Sequence, residues 1–344
     1  MPIPPHVQAR RAALSAIAKE TKDVLPGILK QLPHLDATMS YEEDLRETKP
    51  LDPAECPGFT LASDRGTYGT LVKVLNEDSL DAAIMMGESL SQQTRASTTA
   101  PGLPSRPRNQ RVAVLNLASD KQPGGGWLTG AVAQEEAICY RSSLALSLHK
   151  QYYPWAPLTG LYTRDVVVIR SSMGSGHRLL LPRGTQASSS APSATTPASS
   201  PSATTSTTTP SDLPVLSVIS IAGIRRPELR KVYYGGLGST MKEKHMFKKQ
   251  SDRQLTKDKM RLCLRIAANE GHELLVLGAI GCGAFHNPPG EIADCWAEVL
   301  EDAEFQGGWF REIWFAVFDR KNEGNFEVFD KALGGKEVGK VAKT

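Results

Sequence analysis

Two adjacent acids, Glu135 and Glu136, follow Gln134 seven residues after a triple glycine at 124–126, in a stretch with no other charge between residues 124 and 133. A carboxyl group confined in such a setting can have a raised pKa and serve as a general acid. Neighbouring residues at a helix start point in different directions. The pair therefore cannot flank one glycosidic bond as opposed carboxylates do. One acid would carry the proton while the other positions the substrate. Acids in a first helical turn also complement the helix dipole and complete a capping box, which is a purely structural use of the same residues.

A second glycine-rich segment, LGAIGCGAFHNPPGEIADC, spans residues 277–295. Both segments follow apolar runs that read as core strands, and both lead into helical patterns. Ligands of open α/β sheets bind outside the carboxyl ends of the strands. Glycine lets the backbone approach a phosphate, and a helix N-terminus adds partial positive charge. Two such loops suit a diphosphate. Neither is a P-loop, since no GK[ST] follows, and neither is a clean G-x-G-x-x-G.

The elements that must position these loops alternate along the chain. Residues 8–20 and 22–32 read as helices, TLVKVLN from Thr70 as a strand, and DSLDAAIMMGESL as a helix. RVAVLNLA from Arg111 suits a central strand covered on both faces. A helix is expected from Gln134 to about His149, and strands over 165–172 and 213–223. The amphipathic stretch from Asp252 should end at Gly271 and feed the strand ELLVLGAI. IADCWAEVLEDAE then reads as a helix, and REIWFAVFD as the last core strand, its aromatic residues packed inside. This alternation predicts a layered α/β fold. Residues 184–211 carry no charge and almost nothing that could fill a core. They read as a disordered loop interrupting one domain.

Composition narrows the class. The chain has 344 residues, 40% apolar and 22% charged, with net charge +3. That balance is too weakly basic to imply direct DNA binding. Five cysteines without C-x-x-C spacing argue against a disulfide framework or a zinc site and for an intracellular setting, cytoplasmic or nuclear. No membrane span is expected. An acid-poor N-terminus bearing Arg10 and Arg11 leaves a mitochondrial leader open. Cys282 is read as a small packed residue and His286 as an exposed loop histidine. His149, His177, His245 and His272 are read as surface or helix-end residues. The basic stretch 242–250, KEKHMFKKQ, reads as a solvated helix or loop face that could attract phosphates.

The triple glycine, the seven-residue spacing and Gln134-Glu135-Glu136 resemble the signature of poly(ADP-ribose) glycohydrolases. VAVLNLAS before it, CYRSSL after it and VLGAIGCGAF in the second loop are similar to the microbial, bacterial-type branch. IAKET at 17–21 resembles it too. The resemblance implies a macrodomain-like α/β/α three-layer sandwich with a mixed central sheet and an N-terminal helical extension. The expected layout is an extension at 1–105, a catalytic core at 106–334 interrupted by the loop at 184–212, and a flexible tail at 335–344. By resemblance, Glu136 is the general acid that releases ADP-ribose from the polymer, mainly from chain ends, and Glu135 holds ribose hydroxyls. Gln134, Asn116, Gly125 and Gly126 contact the substrate. Gly281, Cys282, Gly283 and Ala284 wrap the diphosphate, and Phe285 packs on the distal ribose. No cofactor or metal is implied. The partners implied are poly(ADP-ribose), ADP-ribose and poly(ADP-ribosyl)ated proteins, in ADP-ribosylation reversal such as a DNA damage response. The alternatives are a macrodomain that only binds ADP-ribose, which would need no acid pair, and one that removes mono-ADP-ribose from proteins.

Overall fold

The computed structural model describes residues 4–61, 66–96, 109–181, 209–235 and 241–342. In chain order the elements are α1 (Pro5–Leu29), β1 (Tyr41–Asp44), β2 (Thr67–Leu75), α2 (Ser79–Ala96), β3 (Ala113–Leu117), α3 (Gln134–Arg141) and α4 (Leu144–Ser147). They continue with β4 (Thr159–Val167), β5 (Val215–Ile221), β6 (Leu229–Tyr234), β7 (Lys242–Phe247), α5 (Gln250–Asn269) and β8 (Leu274–Leu277). The chain ends with α6 (Pro289–Leu300), β9 (Glu312–Ala316), α7 (Asn325–Leu333) and β10 (Glu337–Ala342).

Eight strands form one mixed sheet in the order β1-β4-β5-β3-β8-β9-β2-β10. The five from β5 to β2 run parallel, and antiparallel strands close both edges. The parallel strands are continuous apolar runs because both of their faces are covered. On β3, Ala113 and Leu115 join a core cluster that includes residues of α5, α6 and α7. Val114, between them, faces the opposite cluster with residues of α1, α2 and α3. β8 and β9 alternate in the same way, so the molecule is a three-layer α/β/α sandwich.

Several expectations change. The first 105 residues contribute β1 and β2 to the sheet, and β2 lies between β9 and β10. The sheet therefore begins inside the expected extension. Residues 337–342, expected in a flexible tail, form β10 and pair with β2. The two expected N-terminal helices are one, α1, because Thr21 turns its hydroxyl onto the Tyr140 carbonyl at 2.8 Å and leaves the helix unbroken. The helix expected to reach His149 stops at Arg141. There the Ser142 hydroxyl bonds back to the Ile138 carbonyl, and the Ser143 hydroxyl accepts the Val167 N–H. The basic stretch from Lys242 is mostly the strand β7. Of the Ser/Thr/Pro-rich loop, residues 184–208 lie outside the described residues. Pro210–Asp212 form a 3-10 turn whose Asp212 side chain accepts from the Thr209 N–H and hydroxyl.

α1 reaches the sheet's ligand end from behind. At Gly130 (φ +81°) a side chain would collide with the Arg11 backbone, so the first glycine loop lies directly on α1. The Ser15 hydroxyl also donates to the Leu128 carbonyl there.

Truncation before Glu337 tests the C-terminal correction. It removes buried Val338 and the β10–β2 ladder, a loss of about 2–4 kcal/mol. The melting temperature should fall by several degrees, and an unchanged melt would show the strand to be dispensable.

Candidate active site

The first loop leaves β3 at Leu117 and turns through the triple glycine into α3. Gln134, the first residue of α3, binds back to the strand. Its Oε1 accepts the Leu117 N–H at 2.7 Å, and its Nε2 donates to the Leu115 carbonyl at 2.7 Å and to the Ser79 hydroxyl at 3.0 Å. A primary amide has the donor and acceptor of a peptide group, so Gln134 acts as a rung between helix and sheet. It positions the site through the backbone.

Glu135 and Glu136 are both buried, 2% and 7% exposed. Glu135 Oε2 accepts the Ser119 N–H at 2.8 Å, and its Oε1 lies 3.5 Å from Asn116 Nδ2. Glu136 Oε1 accepts the Gly126 N–H at 2.8 Å, whereas Oε2 is buried and has no protein partner among the described residues. Asn116, fully buried, donates to the Ser220 hydroxyl at 3.0 Å, and its Oδ1 has no partner among the described residues. Two unpaired buried acceptors flanking Glu135 would be costly in a purely structural region. They mark where polar groups of a substrate can enter.

Gly125, at φ +57°, lies against both acids. A methyl group there would strike Glu136 Oε1 and come within 3.0 Å of Glu135 Oε2. The Gly126 N–H holds Glu136 and so is already engaged. Burial, and then the nearby Glu136 charge, raise the Glu135 pKa to about 8 against the ordinary 4.5, although the Ser119 N–H opposes the shift. At neutral pH the Glu135 carboxyl therefore holds its proton.

The second loop follows β8. Its fold rests on Asn287, whose side chain donates to the carbonyls of Ile224 at 2.6 Å and Gly281 at 3.1 Å. Gly283 and Ala284 are exposed, and among the described residues no group accepts from their N–H groups. Gly281 and Phe285 are half-buried. The Cys282 thiol lies 3.8 Å from the Ile280 carbonyl, and burial pushes its pKa up, so it is a neutral thiol. The structure thus brings Asn116, Gly125, Gly126, Gln134, Glu135 and Glu136 together at the end of β3. It places Gly281, Cys282, Gly283, Ala284 and Phe285 at the end of β8, the next strand of the sheet.

Sequence reasoning missed several contributors. Ser119 and Asn287 are common residues in loops and carry no spacing signal. Arg225 sits 4.1 Å over the Phe285 ring and pairs with Asp120 at 3.1 Å, linking the two loops. Burial, and then the nearby Glu135 charge, push the Tyr153 pKa up, and its buried hydroxyl lacks a partner among the described residues. His286 is exposed as expected, at φ +55°. His177 and His272 are buried, unlike the surface placement expected. His272 bonds the Tyr162 hydroxyl at 3.0 Å and the Arg111 carbonyl at 3.0 Å. No group of three or more His, Cys, Asp or Glu able to hold a metal occurs among the described residues.

The fold and site define a macrodomain-like α/β/α protein with two backbone-rich loops and a buried carboxyl pair at the carboxyl ends of parallel strands. Residues 29–171, which include the first loop and both acids, match the family model of the microbial-type PARG (poly(ADP-ribose) glycohydrolase) catalytic domain. The chain's fold is similar to the poly(ADP-ribose) glycohydrolase of Thermomonospora curvata, at 23% identity and TM-score 0.58, over 93% of this chain and 99% of that one. A structure of that protein bound to the inhibitor ADP-HPD gives 22% and 0.56 over the same shares. The Deinococcus radiodurans protein in complex with ADP-ribose gives 22% and 0.54, over 86% of this chain and 93% of that one. No curated protein matches the chain.

The Glu135 shift predicts a pH dependence of stability. Its folded pKa is raised, so its contribution is fully present below about 4.5 and is lost as pH rises to about 8. Glu135→Gln is neutral throughout. Its melting temperature relative to wild type should therefore climb across that window and level off above it. A difference independent of pH would contradict the assignment.

Proposed function

We propose that the chain hydrolyses the ribose–ribose O-glycosidic bonds of poly(ADP-ribose), mainly from chain ends, with Glu136 as general acid and base. The observation that carries this reading is the asymmetry of the Glu136 carboxyl. One oxygen is clamped by the Gly126 N–H, and the other is buried without a partner among the described residues.

In this reading the free oxygen Oε2 faces the scissile bond. Glu136 gives its proton to the departing ribose oxygen as positive charge develops at the anomeric carbon. The resulting carboxylate then takes a proton from the attacking water. Both oxygens of Glu135 are engaged by fixed donors, so its task is positional. Protonated near neutral pH, it can donate to a ribose hydroxyl, and Asn116 Oδ1 can accept from one. The exposed N–H groups of Gly283 and Ala284 receive the diphosphate, with Cys282 packed beneath and Phe285 against the distal ribose. The buried floor excludes bulk water, which strengthens each of these interactions.

The products are ADP-ribose and a shortened polymer, and the macromolecular substrates are poly(ADP-ribosyl)ated proteins, as in a DNA damage response. The five cysteines, all free, suit an intracellular compartment. Among the described residues no helix is long and apolar enough to cross a membrane.

Glu136→Gln keeps shape and hydrogen bonding but cannot deliver a proton. Polymer turnover should fall by about 10²–10⁴-fold. ADP-ribose affinity by calorimetry should stay within a few-fold, because the diphosphate is held by a different loop. Near wild-type turnover in this variant would contradict the mechanism. A wild type that binds ADP-ribose but releases none from polymer would identify a binding module instead.

A further inference from the structure

Among the described residues β6 and β7 pair only with each other, forming a two-stranded ribbon apart from the main sheet. Such a hairpin is marginal alone and must be held at its base. Phe247 is buried in the core, and Lys244 pairs with Asp294 on α6. The chain entering the ribbon is fastened to the second glycine loop. Ile224 takes the Asn287 side chain, Arg225 stacks on Phe285, and the Arg226 N–H donates to the Phe285 carbonyl at 2.8 Å. The ribbon therefore rises from the rim of the site.

Its composition is unlike that of the rest of the chain. Residues 224–250 hold eight lysines and arginines against two glutamates, a net +6, whereas the whole chain is +3. The remainder is thus net negative. Glu228 pairs with Lys248 and Lys249, and Glu243 with Lys231, so the two acids neutralise only a minority of this charge. Tyr233 and Tyr234, 59% and 52% exposed, stand on opposite faces of β6 beside Arg230 and Lys231. Exposed aromatic rings set among cations are the surface that binds a flexible chain of phosphates and purine bases, by charge and by stacking.

We infer that the β6–β7 ribbon is a docking surface for the poly(ADP-ribose) strand beyond the unit held in the catalytic pocket. This rests on the glycohydrolase reading of that pocket. Each further repeat brings a diphosphate and an adenine to a ribbon that offers cations and rings. The ribbon lies outside the catalytic loops, so it governs capture of long polymer and leaves the chemical step alone.

The test compares full-length wild type with Arg230→Gln/Lys231→Gln/Tyr233→Ala/Tyr234→Ala, and with Arg230→Glu alone in case the quadruple variant disturbs the hairpin. Substrates are long polymer and the ADP-ribose dimer. On long polymer the quadruple variant should raise KM about tenfold or more with kcat unchanged. Its salt dependence should be shallower by about 0.7 per charge removed in a log–log plot. Arg230→Glu should move KM the same way. Both variants should lose much less on the dimer, which offers the ribbon a single unit, than on long polymer. Unchanged KM on long polymer, or an equal loss on the dimer, overturns the inference while leaving the pocket's reading intact. A wild type that cleaves neither substrate overturns that reading and the inference with it. Equal competition by single-stranded DNA of matched charge would assign the ribbon to nucleic acid and overturn the inference.

Discussion

The hydrogen bond from the Gly126 N–H to one oxygen of Glu136 organises this molecule. It joins the tip of the first loop to the start of α3 and fixes which oxygen of the acid is free. Everything else near the site serves to bring those two groups together. Glycine at 125 leaves room for two carboxyl groups where one methyl would displace both. The adjacent Glu135 is held by the Ser119 N–H and, through burial, retains a proton near neutrality. Two acids can then share a dry pocket without carrying two full charges.

A short helix of eight residues cannot hold such an arrangement alone. α3 is pinned at both ends. Gln134 ties its start to β3. Near its end, Arg141 is buried against Asp78 and Asp81 at the start of α2 and donates to the Arg170 carbonyl at 3.2 Å. Thr21 of α1 takes the Arg170 side chain at 2.8 Å and bonds the Tyr140 carbonyl. The N-terminal helix is therefore part of the apparatus that aims the acids. Breaking one partner of a buried ion pair is costly, which makes the Arg141 network a rigid support.

Much of this was legible because local chemistry dictated it. The apolar run before Asn116 had to be a buried parallel strand, and glycines followed by adjacent acids had to form a loop meeting a helix start. What stayed hidden depended on partners distant in sequence. β10, EVGKVA, is short and carries one glycine and one lysine, and it becomes a strand because β2 offers an open edge. The break of the helix at Arg141 depends on Ser143, whose N–H and hydroxyl meet Val167 of β4. β7 reads as a charged solvated stretch because a ribbon exposed on both faces has no apolar alternation to reveal it. At the site, Ser119, Asn287 and Arg225 act through backbone amides, carbonyls and a ring that only the folded loops bring within reach.

The central claim is that the unpartnered oxygen of Glu136 faces the reacting carbon while the second loop holds the diphosphate. A crystal structure of the Glu136→Gln variant soaked with ADP-ribose tests it directly. The account predicts the distal-ribose anomeric carbon within about 3.5 Å of the side-chain atom that replaces Oε2, with the diphosphate against the backbone of residues 281–284. A diphosphate bound elsewhere, or a residue 136 side chain turned away from the ribose, would contradict it.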